Sequence, residues 1–523
     1  MDAAPGTPPS DGGRLADRPP SSALPRWLTL ALVALALAVV ASGTYLAAVH
    51  VDDRYRIDHV SGVRMALAQR VNEGALYPEL YDGETYGGTR FMPLPIVLHA
   101  ALAAPTDDYL VSGKLLSYAA TILLVATSIW LLRRSGCPTS LALALSVVIL
   151  TTDAGFAGTM DMRADVLALA LQLASVAVVS SSVRSRWWLA AAPIAALAFV
   201  VKLSAIWAPI AIVIWLLLRR ERRRAATFTA TYLAAAAALV AVLVIASDGR
   251  MLENVTGLAT SGIGGVRDVL LAPYRLFHLG LVEATTAWAL VPLAGIALWM
   301  MFRDRERALV SLAFVASTIV TVTVLTDVGT GRNQLLDPLV LVSILAGGLA
   351  SAPSRSAREP TNAGAAWTSG VRPGDRLIAI VVATTAAWLV LSGLVVTLAP
   401  DVLASLRGEA TYPRRPLSDV VSADTSVLSE DPYVPLAVGL RPIILDPFML
   451  PRLEEARPGA IADLVGRIEA QEFDVIVLLE AVEPVDRTWW AELDLGVAVA
   501  TAIAGSYEFA GIDDGYFVYT PAP

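Results

Sequence analysis

The stretch WLTLALVALALAVVASGTYLAA, residues 27–48, carries no charged side chain. As a helix rising 1.5 Å per residue it is about 33 Å long, enough to cross a hydrocarbon core of about 30 Å. Its small-residue end, Ala41-Ser42-Gly43, has the look of a signal-peptide cleavage site. The long polar leader before it and the full-length apolar core favour an uncleaved anchor. Ten further apolar runs follow, at about 109–132, 139–157, 163–182, 187–201, 203–218, 227–246, 284–302, 308–326, 334–350 and 376–398. Met92–Ala104 is apolar too, but it is short for a span, and its Pro93-Leu94-Pro95 opening suits a re-entrant or interfacial helix. The pattern predicts a polytopic α-helical membrane protein with about 11 transmembrane helices.

Composition agrees. Of 523 residues, 56% are hydrophobic and 16% charged, where a soluble domain carries about a quarter charged residues. A soluble enzyme is excluded. The long unbroken runs also exclude an outer-membrane barrel, whose strands alternate.

Charge asymmetry sets the orientation. With the N-terminus cytoplasmic, the basic clusters Arg133-Arg134, Arg184 and Arg186, 219–224 and 303–307 all fall inside, as the positive-inside rule requires. The acids Asp52, Asp53, Asp58, Asp107, Asp108, Asp153 and Asp161 fall outside. This places the chain in a plasma (inner) membrane as a multi-pass protein with an extracytoplasmic C-terminus. Residues 1–26, rich in Pro, Gly and Ser, read as a disordered cytoplasmic tail. A transmembrane domain over 27–350 carries external loops 51–108 and 247–283; a Ser/Pro/Gly-rich cytoplasmic linker over 351–375 leads to the last helix at 376–398. Residues 399–523 read as a small extracytoplasmic α/β domain, with strand-like runs Arg441–Leu445, Phe473–Leu479 and Gly515–Tyr519 and a helical stretch Ala460–Ala470. From Pro400 onward there are 21 acidic and 8 basic residues. No basic face for nucleic acid is present, and the single Cys137 cannot form an internal disulfide.

Ionisable groups at the ends of apolar spans are functional candidates. The outer mouth of the bundle collects several. Asp58 follows the first span and precedes an amphipathic stretch with Val63, Leu67 and Val71. Asp161 and Asp165, four apart, share a helix face, with Arg163 between them. Lys202 is flanked by Val201 and Leu203, and Asn333 and Asp337 open a late span after Arg332. Each has an ordinary reading as well. Asp52-Asp53 suits a solvated loop, Asp165 a polar contact between helices, and Lys202 a side chain snorkelling to headgroups. The sequon Asn254-Val255-Thr256 is weak evidence of glycosylation. Taken together, interfacial carboxylates can act as general bases toward a hydroxyl, while nearby cations hold a phosphate.

The first external loop carries a more specific signal: Asp58-His59, then Gly74-Ala75-Leu76-Tyr77-Pro78, then Arg90-Phe91-Met92-Pro93-Leu94-Pro95. It resembles that of GT-C-fold glycosyltransferases, nearest to the protein O-mannosyltransferase and lipid A aminoarabinose transferase branch. There an acid beyond span one precedes a Gly-x-Leu-Tyr-like turn, and a basic residue precedes a Pro-Pro-Leu helix. Lys114-Leu115-Leu116-Ser117, Arg163-Ala164-Asp165, Lys202-Leu203-Ser204-Ala205 and Gly331-Arg332-Asn333-Gln334 are similar to further family motifs. His59 stands where the family usually has Glu, and one proline survives at the Pro-Pro position. Asp52 or Asp53 therefore remains an alternative to Asp58 as the matching acid.

The resemblance implies an inverting glycosyltransferase that moves a sugar from a polyprenyl-phosphate-linked donor to a hydroxyl of a glycan, lipid or protein acceptor outside the membrane. It implies Asp58, Asp165 and Asp53 as catalytic candidates. Arg90, Lys202, Asp161, Arg163, Tyr77, Lys114, Arg332 and Asn333 become candidates for substrate binding. The glycine run 261–265 suits either a mobile lid or an ordinary connector. The four histidines are scattered and show no metal-ligand spacing, so no cofactor is implied and a divalent metal stays an open question. A transporter or flippase of lipid-linked sugars and an inactive GT-C relative are the alternatives. A transporter should show inverted repeats and broken midplane helices, and no such repeat is visible.

Overall fold

The computed structural model describes residues 24–182, 185–259, 265–283, 285–302, 308–327, 330–350, 373–409, 411–482 and 494–523. Most of the tail expected over 1–26 and of the linker expected over 351–375 lies outside the described residues, as do Arg184, the basic cluster 303–307 and most of the glycine run 261–265.

The first half of the chain forms α1 (Arg26–Val49), α2 (His59–Asn72), α3 (Pro93–Ala103), α4 (Tyr109–Ser135), α5 (Thr139–Val147), α6 (Asp153–Met160), α7 (Asp165–Ser182), α8 (Ala191–Val201), α9 (Trp207–Leu218) and α10 (Arg222–Ala246). After a single turn, α11 (Arg250–Leu252), come α12 (Val266–Glu283), α13 (Val291–Phe302), α14 (Ala308–Val324), α15 (Leu336–Ala350), α16 (Pro373–Gly393) and α17 (Ala399–Leu406). All eleven stretches expected to be apolar spans are helical over most of their length. Among the described residues five helices are long and apolar enough to cross a membrane, and up to seven if each of two bent pairs is one span. Helix α3, with 11 residues, is about 16 Å long and too short to cross.

Packing follows residue size. The buried face of α8 is built from Ala191, Ala192, Ala195, Ala196 and Ala198, which lets α7 and α10 approach closely. Helix α10 exposes Leu233, Val242 and Ile245, as a lipid-facing helix does. The span expected as continuous over 139–157 is broken: a 3-10 turn at Val148–Thr151 separates α5 from α6, which bends away by 80°. Thr152 caps α6 by accepting from the Gly155 amide at 3.1 Å. A Cβ on Gly155 would lie 1.9 Å from the Ile149 carbonyl oxygen, so the bend requires glycine there. Residues 247–283, expected as an external loop, are largely helical. In α12 the exposed Val266, Leu270, Tyr274, Phe277 and Leu281 line one stripe.

The C-terminal domain holds a four-stranded sheet in the order β1-β2-β4-β3, from β1 (Val427–Ser429), β2 (Val475–Leu478), β3 (Tyr507–Asp513) and β4 (Tyr516–Pro521). β1 and β2 are parallel and the other pairs antiparallel. The expected strand runs at 473–479 and 515–519 and the helix near 460–470 are present, the last as Ala462–Glu469. Arg441–Leu445 is not a strand. It makes one bridge, Ile444 to Tyr86 of the first external loop: the Tyr86 amide donates to the Ile443 carbonyl at 2.7 Å and the Leu445 amide to the Tyr86 carbonyl at 3.0 Å. The Tyr86 ring is fully buried among Leu428, Ile444 and Phe448. The loop thus completes the core of the C-terminal domain, and the two units are not packed independently. On the other side, Gly62 of α2 meets that domain so closely that a Cβ would fall 2.2 Å from Asp431 Oδ1.

Candidate active site

Asp58 is the N-cap of α2, and its Oδ1 accepts from the Ser61 amide at 3.2 Å. Its Oδ2 accepts from Arg163 Nη2. Arg163 also donates from Nε to Asp161 Oδ2 at 2.6 Å, so one guanidinium bridges two carboxylates that are 105 and 2 residues away. Asp161 sits at the end of α6, where the chain turns into α7. Its Oδ1 accepts from the Ser61 hydroxyl and from the Met162 amide at 2.8 Å, and Ser117 of α4 donates to its backbone carbonyl at 2.9 Å. The side chain of Asp161 is 4% exposed and that of Asp58 31%. The buried acid fixes the arginine, and the more open acid faces outward.

The electrostatics divide the two acids. Burial opposes charge on Asp58, but Arg163, His59 and the Ser61 amide prevail and hold it below the usual carboxylate range. Burial, reinforced by the neighbouring Asp58 charge, pushes Asp161 upward.

Asp161 ends α6 in extended backbone and α7 begins only at Asp165, so the two acids do not share the expected helix face. Asp165 Oδ1 accepts from Lys202 Nζ at 2.6 Å and from Asn333 Nδ2 at 2.9 Å. Lys202 caps the end of α8 in an extended conformation and also donates to Gln334 Oε1 at 2.9 Å. Lys202, Asn333 and Asp165 thus meet although they lie up to 168 residues apart.

Arg64 was not singled out by the sequence. It is buried on α2, with its plane 4.8 Å from the Phe91 ring, and among the described residues its guanidinium has no hydrogen bond or ion pair. It shares a narrow crevice with Arg163, Ser117 and His99, whose apolar wall is Ile96 of α3, Leu116 of α4 and Leu167 of α7. An arginine in a run buried on all sides, Val60 to Ala68, was the available signal.

Crystal structures of ArnT from Cupriavidus metallidurans superpose on nearly the whole chain. The apo form is 12% identical, covers 88% of this chain and 94% of its own, and has a TM-score of 0.50. The form bound to undecaprenyl phosphate is 13% identical, covers 95% and 99%, and has a TM-score of 0.50. The chain has the GT-C fold. No protein-family model and no curated protein sequence matches it.

Within this GT-C frame the other sequence candidates lie apart from the bridged acids. Asp53 accepts from His50 Nδ1 at 2.5 Å and lies 3.7 Å from Lys114 Nζ; the fully buried Lys114 donates to the backbone carbonyls of His50 and Asp53. Next to them Arg56 bridges Asp153 at 3.1 Å and Asp401 at 2.8 Å, and Arg332 reaches Asp153 at 2.7 Å. This network ties the end of α1 to α4, α6 and α17. The structure therefore gives Asp53 and Lys114 to a clasp at the helix ends, and Arg332 to its rim. Tyr77 staples the loop by donating to the Phe91 carbonyl at 2.6 Å. Arg90 lies 3.7 Å over the Phe448 ring of the C-terminal domain. Near it, Asp446 is buried with Oδ2 unpaired among the described residues; burial raises it, against Arg90 and His59. Among the described residues no group of three His, Cys, Asp or Glu has metal-binding geometry.

Proposed function

We propose that this protein is an integral membrane glycosyltransferase that moves a sugar from a polyprenyl-phosphate-linked donor to an acceptor hydroxyl, with inversion, on the extracytoplasmic side. One observation carries the reading: a partly open carboxylate, Asp58, is held by Arg163, which with Arg64 lines a crevice whose remaining lining is mostly apolar. The structural neighbour solved with undecaprenyl phosphate supports a lipid phosphate as the ligand. Eleven crossings follow if the shorter apolar helices α7, α8, α9 and α14 also span, with the N-terminus cytoplasmic and the C-terminal domain outside.

The residues then divide as follows. The donor's isoprenoid lies along Ile96, Leu116 and Leu167, and its phosphate meets Arg64, whose buried guanidinium rests on the Phe91 ring and has no hydrogen bond or ion pair among the described residues. Asp58 accepts the proton of the acceptor hydroxyl as its oxygen attacks the anomeric carbon. The bond from that carbon to the phosphate oxygen breaks, and the electron pair leaves on the phosphate, where Arg64 stabilises it. Asp161 positions Arg163, and Asp165 with Lys202 and Asn333 shapes the sugar side.

The test uses protein reconstituted with radiolabelled polyprenyl-phosphate sugars. Asp58→Asn and Asp165→Asn should each lower turnover by about 100-fold or more, in keeping with general-base contributions. Full turnover by both variants, or movement of labelled lipid across the bilayer without any glycosyl transfer, overturns the reading. A reporter fused after Arg220 should signal from the cytoplasm.

A further inference from the structure

Away from the bridged acids, a second cleft of about 640 Å³ opens between the external loops of the membrane domain and the C-terminal domain. Glu79 and Tyr81 come from the first loop, Arg250 and Glu253 from the segment around α11, and Arg457 with Gly459 from the C-terminal domain. The charges alternate and cancel. Arg250 pairs with Glu79 at 3.0 Å, and Arg457 pairs with Glu253 across the two domains. All four side chains are a third or more exposed, so these pairs contribute little and exchange cheaply for a ligand's hydroxyls. Tyr81 stacks on Tyr86 at 4.5 Å and donates to Asp463 at 2.7 Å, which fixes its ring at the rim.

The balance of donors and acceptors selects the ligand. A polyanion would meet Glu79 and Glu253, and a polycation would meet Arg250 and Arg457. A lipid tail would find Leu80, Leu453, Pro458 and Ala460, but it would also cover the four charged side chains without offering them a hydrogen bond. A neutral polyhydroxylated chain satisfies both signs: each guanidinium can donate to two neighbouring hydroxyl oxygens, and each carboxylate can accept from two hydroxyls. Beside the cleft, Met449–Ala456 runs from Leu453 in its wall back to Phe448, on which Arg90 rests. We propose that this cleft is a carbohydrate-binding site that holds the glycan portion of the acceptor. The proposal rests on the transferase reading above and names its acceptor class.

The experiment uses the full-length protein and membranes from a strain lacking it, which hold the unmodified acceptor, with radiolabelled polyprenyl-phosphate sugar. Periodate cleaves vicinal diols and leaves the hydroxyls of internal Ser and Thr intact. Pretreating the membranes with periodate, then quenching with glycerol, should lower incorporation at least tenfold. Tyr81→Ala and Arg457→Ala should each raise the half-saturating amount of acceptor membranes about tenfold. The half-saturating donor, the maximal rate and the affinity for polyprenyl phosphate should stay unchanged, and the last also reports folding. Tyr81→Phe, which keeps the ring and removes the hydroxyl's bonds to Asp463 and to the Gly83 carbonyl, is the second variant if Tyr81→Ala does not fold. Undiminished incorporation into periodate-treated membranes, or unchanged acceptor dependence in the folded variants, overturns the proposal. Failure of the transferase reading shows itself differently, as movement of labelled lipid across the bilayer without any glycosyl transfer by the wild-type protein.

Discussion

Arg163→Met removes the guanidinium that bridges Asp58 and Asp161 while keeping a side chain of similar length. Breaking a buried pair from one side costs roughly 3–5 kcal/mol, because the remaining charge is left without its partner. Here the lower end applies. Asp161 keeps the Ser61 hydroxyl and the Met162 amide at 2.8 Å, and Asp58 keeps the Ser61 amide at 3.2 Å and its access to water. At about 1.4 kcal/mol per pH unit, ~3 kcal/mol corresponds to a rise of about two units in the titration of the pair. The sign follows from the two acids. Asp58 is held low, against burial, by Arg163 and His59. Its contribution to stability is present above the unfolded carboxylate value and is lost as pH falls through the lower folded value. Asp161, raised by burial and by Asp58, takes up its proton more readily when folded and favours folding as pH falls through its raised value. Without Arg163 both should rise. The acid limb of donor turnover against pH should move up by about two units, and the thermal midpoint in detergent should fall at neutral pH. An acid limb within about 0.3 units of wild type, with an unchanged midpoint, would refute the bridge as the source of Asp58's ionisation.

Arg64→Met should weaken polyprenyl phosphate binding by at least about tenfold, the worth of one charge-assisted hydrogen bond, measured by competition with labelled lipid; its thermal midpoint should not fall, since the guanidinium has no protein hydrogen bond to lose. Gly155→Ala should abolish accumulation of folded protein in membranes, because the Ile149 carbonyl stands 1.9 Å from the new Cβ. Asp53→Asn should lower the thermal midpoint through loss of the His50 and Lys114 contacts while turnover per folded molecule stays near wild type.

Helix positions were legible because an apolar run has one solution in lipid: its backbone must satisfy itself, and a helix does that within the segment. The break inside 139–157 was not legible from hydropathy, since Val148 to Thr152 is as apolar as a span. Thr152 three residues before Gly155 and Asp153 in the first turn of α6 are the local marks of it. The same limit applies to Arg441–Leu445. Its alternation suits a strand, but the partner that would make it one is a loop residue, Tyr86, more than 350 positions away, and a single bridge results. Among the site residues, Asp161, Arg163 and Asp165 were found by their closeness in sequence, although the expected shared helix face is absent: Asp161 ends α6 in extended backbone and α7 begins only at Asp165. Arg64 was missed because its meaning comes from what lacks contact with it, which no spacing reveals.

The two charge networks at the helix ends explain why so many candidates competed. Both join the segment after α1 to α4 and to the turn around α6, and both pair an acid with a basic side chain distant in sequence. They differ in what is left over. In the network of Asp53, Lys114, Arg56 and Asp153 every one of these charged groups has an opposite charge in contact. Around Asp58 the pairing is incomplete, since Arg64 lies buried without a hydrogen bond and the Asp58 carboxylate keeps a third of its surface open. A buried unpaired cation costs several kcal/mol, and folding retains it only where a ligand or a structural constraint supplies the compensation. Arg64 lines the crevice and Asp58 adjoins it through Arg163, the first suited to an anion and the second to a proton donor. That is the combination a phosphate-leaving, hydroxyl-accepting transfer requires.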